Sequence, residues 1–157
     1  MCINYMMYDV KREWDVINPN MHPDVIVNSP ETGPQAQLYW YTCVIGIFHS
    51  CVSSSYPEVK EPSKHRMDFL WVCWFGVEPG WYCSGFHYAC LPKIGFVEST
   101  HPYAFTFLDP SQVIRGAHMI PAFMEGRTSA LLPAAKTVAR VLTPKDEDDW
   151  VNFYVNM

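Results

Sequence analysis

Residues 67–76 read MDFLWVCWFG, and the alternation inside this stretch decides the fold class. Phe69, Trp71, Cys73 and Phe75 fall on one face of an extended chain, and Leu70, Val72 and Trp74 on the other. Both faces are apolar. The stretch therefore reads as a central strand covered on both sides. The residues on either side of it extend the β pattern.

DVIVN (24–28) is a short strand, stopped by the turn-forming SPETGP. LYWYTCVIGIFHS (38–50) is aromatic and β-branched, which predicts a long strand, with Gly46 marking a bulge or sharp bend. SSSYPEVKEPSKHR (53–66) is a polar loop. HYACLPKIGFV (87–97) holds one strand or two, broken at Pro92. AFTFLD (104–109) stops at Pro110, and SQVIRGAHMIPAF (111–123) is a strand bent at Gly116. GRTSALLPAAKTVARVL (126–142) has helix-forming residues interrupted by Pro133, and DEDDWVNFYVNM (146–157) turns from acidic to strand-like alternation.

The 13 prolines and eight glycines cut the chain into short pieces and argue against long helices. The expected fold is mainly β: a small barrel or rolled antiparallel sheet over 24–125. Residues 1–23 form an N-terminal arm and 126–157 a C-terminal extension. At 157 residues and 49% hydrophobic content, the chain is long enough to bury a core without disulfide or metal.

Charge excludes some functions. Eleven Lys and Arg against 16 Asp and Glu give a net −5, and a standalone nucleic-acid binder carries a basic excess instead. The run at 38–48 is too short to span a bilayer, so no membrane association is expected. The opening MCINYMMYDVKREWD has charges where a secretion signal has its apolar core. The expected place is intracellular, with the six cysteines reduced.

The candidate binding residues are aromatic. Trp71 and Trp74, with Trp40, Tyr39 and Tyr103, are the rings that could form a cage for a methylated lysine or another cation, set against the ordinary role of such rings in core packing. The alternative is a zinc-dependent or nucleic-acid-acting enzyme fragment with metal ligands at Cys83, His87 and Cys90, and Cys73 or His101 as a fourth; zinc accepts these ligand types, but no C-x2-C pair supports them. His49 and Cys51 lack a third orienting group for nucleophilic catalysis. The acidic run at 146–149 has the composition of a solvated loop. Arg115, among apolar neighbours, is a candidate for an ion pair with Asp109 or Asp68. No catalytic residue and no cofactor are expected.

Six blocks carry a resemblance: NYMMYDVKREWDVINPNMHPDVIVNSPE, YWYTCVIGIFHS, MDFLWVCWFG, LPKIGFV, YAFTFLDPSQVIRGAHMIPAF and DDWVNFYVNM. Together they resemble the C-terminal region of fungal transposon proteins of the Plavaka and Kyakuja-Dileera-Zisupton type. The resemblance covers nearly the whole chain. It implies a chain truncated at its C-terminus, with the catalytic core of the transposon protein lying upstream. FLWVCWF followed by FLDPSQVIRGAHMI is also similar in order to bromo-adjacent-homology, SH3-like barrels. That second resemblance implies a non-enzymatic protein-interaction module with partners in chromatin, and a nuclear place.

In the transposon pattern, the positions of Cys43, Cys73, Cys83 and Cys90 commonly hold arginine. The resemblance thus implies a decayed copy, in which C-to-T transitions turned arginine codons into cysteine codons. Restoring the four arginines would raise the formal charge of −5 by four.

Overall fold

The computed structural model describes residues 1–6, 12–33, 36–53, 64–78, 81, 91–128 and 149–156. Within them the chain is built from antiparallel strands and two short 3-10 turns. The strands are β1 (Cys2–Met6), β2 (Arg12–Val16), β3 (Asp24–Asn28), β4 (Tyr39–Ser53), β5 (Lys64–Val77) and β6 (Lys93–Phe96). They continue as β7 (Phe105–Leu108), β8 (Val113–Gly116), β9 (His118–Pro121), β10 (Arg127–Thr128), β11 (Asp149–Trp150) and β12 (Asn152–Asn156).

The main sheet runs in the order β8-β3-β4-β5-β6-β12-β9, and β7 adds to β5 beside β6. Its two end strands, β8 and β9, are consecutive in the chain and separated by Ala117 alone. No ladder joins them, so the sheet does not close into a barrel among the described residues. One core cluster nevertheless draws on the whole path. Ile26, Tyr41, Cys43, Phe75, Ile94 and Val155 are buried together, and Ile114, Ala117 and Met119 pack against them.

The second cluster lies on the other face. Val25, Val27, Val44, Leu70, Val72, Leu108 and Val113 gather there with Ile17. Ile17 belongs to the stretch expected as a peripheral arm, yet it is 1% exposed. It is held there because Met1 and Ile17 exchange backbone hydrogen bonds, with the terminal amine donating to the Ile17 carbonyl at 2.9 Å and the Ile17 N–H donating to Met1 at 2.7 Å. Asp15 accepts from the Gly116 N–H at 2.8 Å. Strands β1 and β2 form a hairpin. The C-terminal stretch is likewise part of the sheet: β12 pairs with both β6 and β9, and Val155 is fully buried.

The opening motif sits at the centre. Strand β5 pairs with β4 along one edge and with β6 and β7 along the other. The cover on both faces that the apolar alternation implies is partial: Leu70, Val72, Cys73 and Phe75 are buried, while Trp71 and Trp74 are half-buried. Met67 is 56% exposed and Phe69 half-buried, because the outer part of the β4–β5 ribbon extends past the strands that flank it. The bend expected at Gly46 is a register shift between Val44 and Gly46, where a side chain would run into the Phe48 ring. The bend expected at Gly116 falls one residue later, at Ala117, and splits the segment into β8 and β9.

Candidate functional site

Loop and strand ends meet at one cleft of about 530 Å³. Tyr39, Trp40 and Tyr41 from β4 line it, with Trp74 to Val77 from β5, Val97, His101 and Tyr103 from the following turn, and Thr106 from β7. Four of the five aromatic residues singled out by sequence therefore share one cavity: Tyr39, Trp40, Trp74 and Tyr103. Tyr103 is 71% exposed and Tyr39 36%, while Trp40 and Trp74 are half-buried.

The two indoles are fixed. Their ring centroids lie 5.6 Å apart at an interplanar angle of 78°, an edge-to-face arrangement. Trp74 Nε1 donates to Thr106 Oγ1 at 2.7 Å. Trp40 Nε1 donates to Glu31 Oε1 at 3.0 Å, and the Gln37 N–H donates to Glu31 Oε2 at 3.0 Å. The carboxylate is thus drawn to the rim of the cleft by an indole that lines it. Sequence alone did not single out Glu31. It lies in a turn-forming loop, and only the β3–β4 connection brings it against Trp40. The wall also includes Tyr41, whose hydroxyl is pushed above its ordinary range by burial, with Tyr39 adding to this and Arg115 opposing it.

Trp71 lies elsewhere. It faces away from the cleft, stacked on Phe105 at 6.0 Å and against Phe107 at 4.7 Å. Phe107 also meets Phe69 at 5.3 Å, and Phe69 stacks on Phe48 at 5.8 Å. The register explains the separation. Residues 69 and 71 share the face opposite to that of Trp74, and β7 places Phe107 directly across from Trp71. Phe107 is 66% exposed and Phe48 48%, so this second aromatic surface is open to solvent.

The alternative metal residues Cys83, His87 and Cys90 lie outside the described residues, as do Asp146, Glu147 and Asp148. Of the further ligands considered, Cys73 is buried in β5 and His101 lines the cleft. Among the described residues, no three His, Cys, Asp or Glu side chains gather as metal ligands. His49 and Cys51 sit exposed on the outer ribbon, opposite Asp68 and Arg66. The two carboxylates considered for Arg115 have other partners: Asp68 is bound by Arg66 at 2.9 Å, and Asp109 accepts from the Ser111 N–H at 2.8 Å. No helix of the described residues is long and apolar enough to cross a membrane.

These features define an antiparallel β protein with an aromatic, acid-rimmed cleft. No protein-family model matches the chain, and neither a curated protein nor a solved structure matches it.

Proposed function

We propose that the protein is a non-enzymatic interaction module whose cleft receives a cationic side chain, with methylated lysine in a chromatin protein as the ligand class. The observation that carries this is the convergence of Tyr39, Trp40, Trp74 and Tyr103 on one cavity with Glu31 at its rim. A ring face attracts a cation within about 6 Å of its centroid, and a desolvated ammonium gains up to about 2 kcal/mol from it. A nearby carboxylate adds charge attraction, and a chain of net −5 favours a basic partner. In this proposal the sheet is a bromo-adjacent-homology type, SH3-like barrel from the C-terminal region of a fungal transposon protein. The adjacency of β8 and β9 in the chain, and a core cluster fed by every strand of the path, support that reading.

Tryptophan fluorescence tests the cleft directly. Tetramethylammonium and a trimethyllysine peptide should each produce saturable quenching, with unmodified lysine peptide weaker and Trp40→Ala unresponsive. Equal responses of the native chain and Trp40→Ala would remove the cleft as the site.

A further inference from the structure

Strand β7 has one edge against β5 and pairs with no other described strand. The direction of its backbone groups follows from its neighbours. The Trp74 N–H donates to the Ala104 carbonyl at 2.9 Å, and the Val97 N–H donates to the Trp74 carbonyl at 3.0 Å. Residues 70, 72 and 74 therefore turn their N–H and C=O groups toward the β7 side, and the pairs Leu70–Leu108 and Val72–Thr106 are the hydrogen-bonded ones. Phe105 and Phe107 consequently turn their N–H and C=O groups outward, away from β5.

Side chains alternate along this same edge. Thr106 points to the cleft side, where its hydroxyl accepts from Trp74. Phe105 and Phe107 point to the opposite side, against Trp71. The outward backbone groups thus run between two aromatic surfaces.

We infer that the partner is an extended peptide that adds as a strand to the outer edge of β7, pairing with the backbone of Phe105 and Phe107. In this arrangement alternate peptide side chains go to opposite faces. The cationic side chain enters the cleft from the position beside Thr106, and its two neighbours lie on the Phe105–Phe107–Trp71 surface. The preferred ligand is therefore a lysine-type cation flanked on both sides by apolar residues. This inference rests on the cation-recognition reading above, to which it adds the backbone conformation and the flanking residues of the partner.

The test uses the peptide acetyl-Ala-Val-Lys(trimethyl)-Val-Ala-amide, the same peptide N-methylated at both valines, and tetramethylammonium. The expected result has three parts: tetramethylammonium quenches, the parent peptide slows amide exchange at Phe105 and Phe107 at least tenfold, and N-methylation weakens binding more than tenfold. Quenching by tetramethylammonium with equal binding of both peptides and unchanged exchange at these amides overturns edge pairing and leaves the cation cleft standing. Silence toward tetramethylammonium overturns the cleft reading, and this inference with it.

Discussion

Trp40 and Trp74 stand edge to face across the β4–β5 ladder, and each indole N–H is committed to a different partner, Glu31 for the first and Thr106 for the second. The pairing turns two core-type residues into a rigid wall. Each ring packs partly against the cluster around Val44 and Val72 while also lining the cleft. Fixed rings lose little freedom when a ligand arrives, which favours binding.

Trp74→Phe keeps an aromatic ring but removes the donor to Thr106. The expected cost is about 1 kcal/mol in urea unfolding, typical of one hydrogen bond. Thr106→Val should cost a similar amount, and the double variant less than the sum of the two. Strict additivity would show that the 2.7 Å contact contributes nothing to stability.

Much of the sheet was legible because β5 and its neighbours carry period-2 apolar patterns between proline and glycine stops. Strands were expected over 24–28, 38–50, 67–76 and 104–109, and β3, β4, β5 and β7 occupy those places. Less legible was what pairs at long range. Nothing local in the sequence tells that Ile17 fills a core pocket or that Asn152–Asn156 completes the sheet, since both follow from strand order. The cleft shows the same division. Residue type pointed to Tyr39, Trp40, Trp74 and Tyr103, while Trp71, chosen by the same criterion, lies on the opposite face because it is an odd number of positions from Trp74. Glu31, a loop acid with no pattern around it, was invisible until its indole partner was in place.

The buried Lys93 forms an ion pair with the more exposed Glu125, completed by Asn152 Nδ2, which donates to Glu125 Oε2 at 2.6 Å, and by Trp81, whose ring centroid is 5.0 Å from Lys93 Nζ. The hydrogen bond to Glu125 holds Lys93 above its ordinary 10.5, against the opposing effect of burial. The bonds from Lys93 and then Asn152 hold Glu125 below its ordinary 4.5. The Glu125 contribution is therefore present above 4.5 and lost as pH falls through its lowered value, while the Lys93 contribution is present below 10.5 and lost as pH rises through its raised one. Glu125→Gln should lower stability at neutral pH by about 1 kcal/mol, since solvent screens the exposed carboxylate, and flatten the acid limb of the stability profile. Urea titrations at several pH values measure both, and an unchanged acid limb would refute the assignment to Glu125.

Gly95 pairs with Asn152 where β6 meets β12. A Cβ at this position would overlap Asn152 Oδ1 and lie 3.1 Å from the Val151 carbonyl oxygen. Gly95→Ala must push Asn152 aside, and Asn152 is 5% exposed and bound to Glu125. The expected loss is about 1–3 kcal/mol, as for overpacking elsewhere. Thermal unfolding of Gly95→Ala, Asn152→Ala and the double variant separates the effects. If the clash acts through Asn152, the alanine at 152 relieves part of the Gly95→Ala penalty; a full penalty in the Asn152→Ala background contradicts that route.

Cys73 tests the idea that arginines have been lost from this chain. It is 2% exposed, sits directly across from the buried Cys43, and its carbonyl accepts from Thr42 Oγ1 at 2.7 Å. An arginine placed here would bring a cation into a site packed for a thiol, and an ion taken out of water costs several kcal/mol unless it is fully paired. Cys73→Arg should therefore lower the unfolding free energy by about 3 kcal/mol or more, whereas Cys73→Ser should cost about 1 kcal/mol. Urea unfolding of the two variants decides the matter. An arginine tolerated at position 73 without loss would favour descent from an arginine-bearing relative. The expected loss instead means that such a relative needed a carboxylate or an opening to solvent that the packing around Cys73 does not provide.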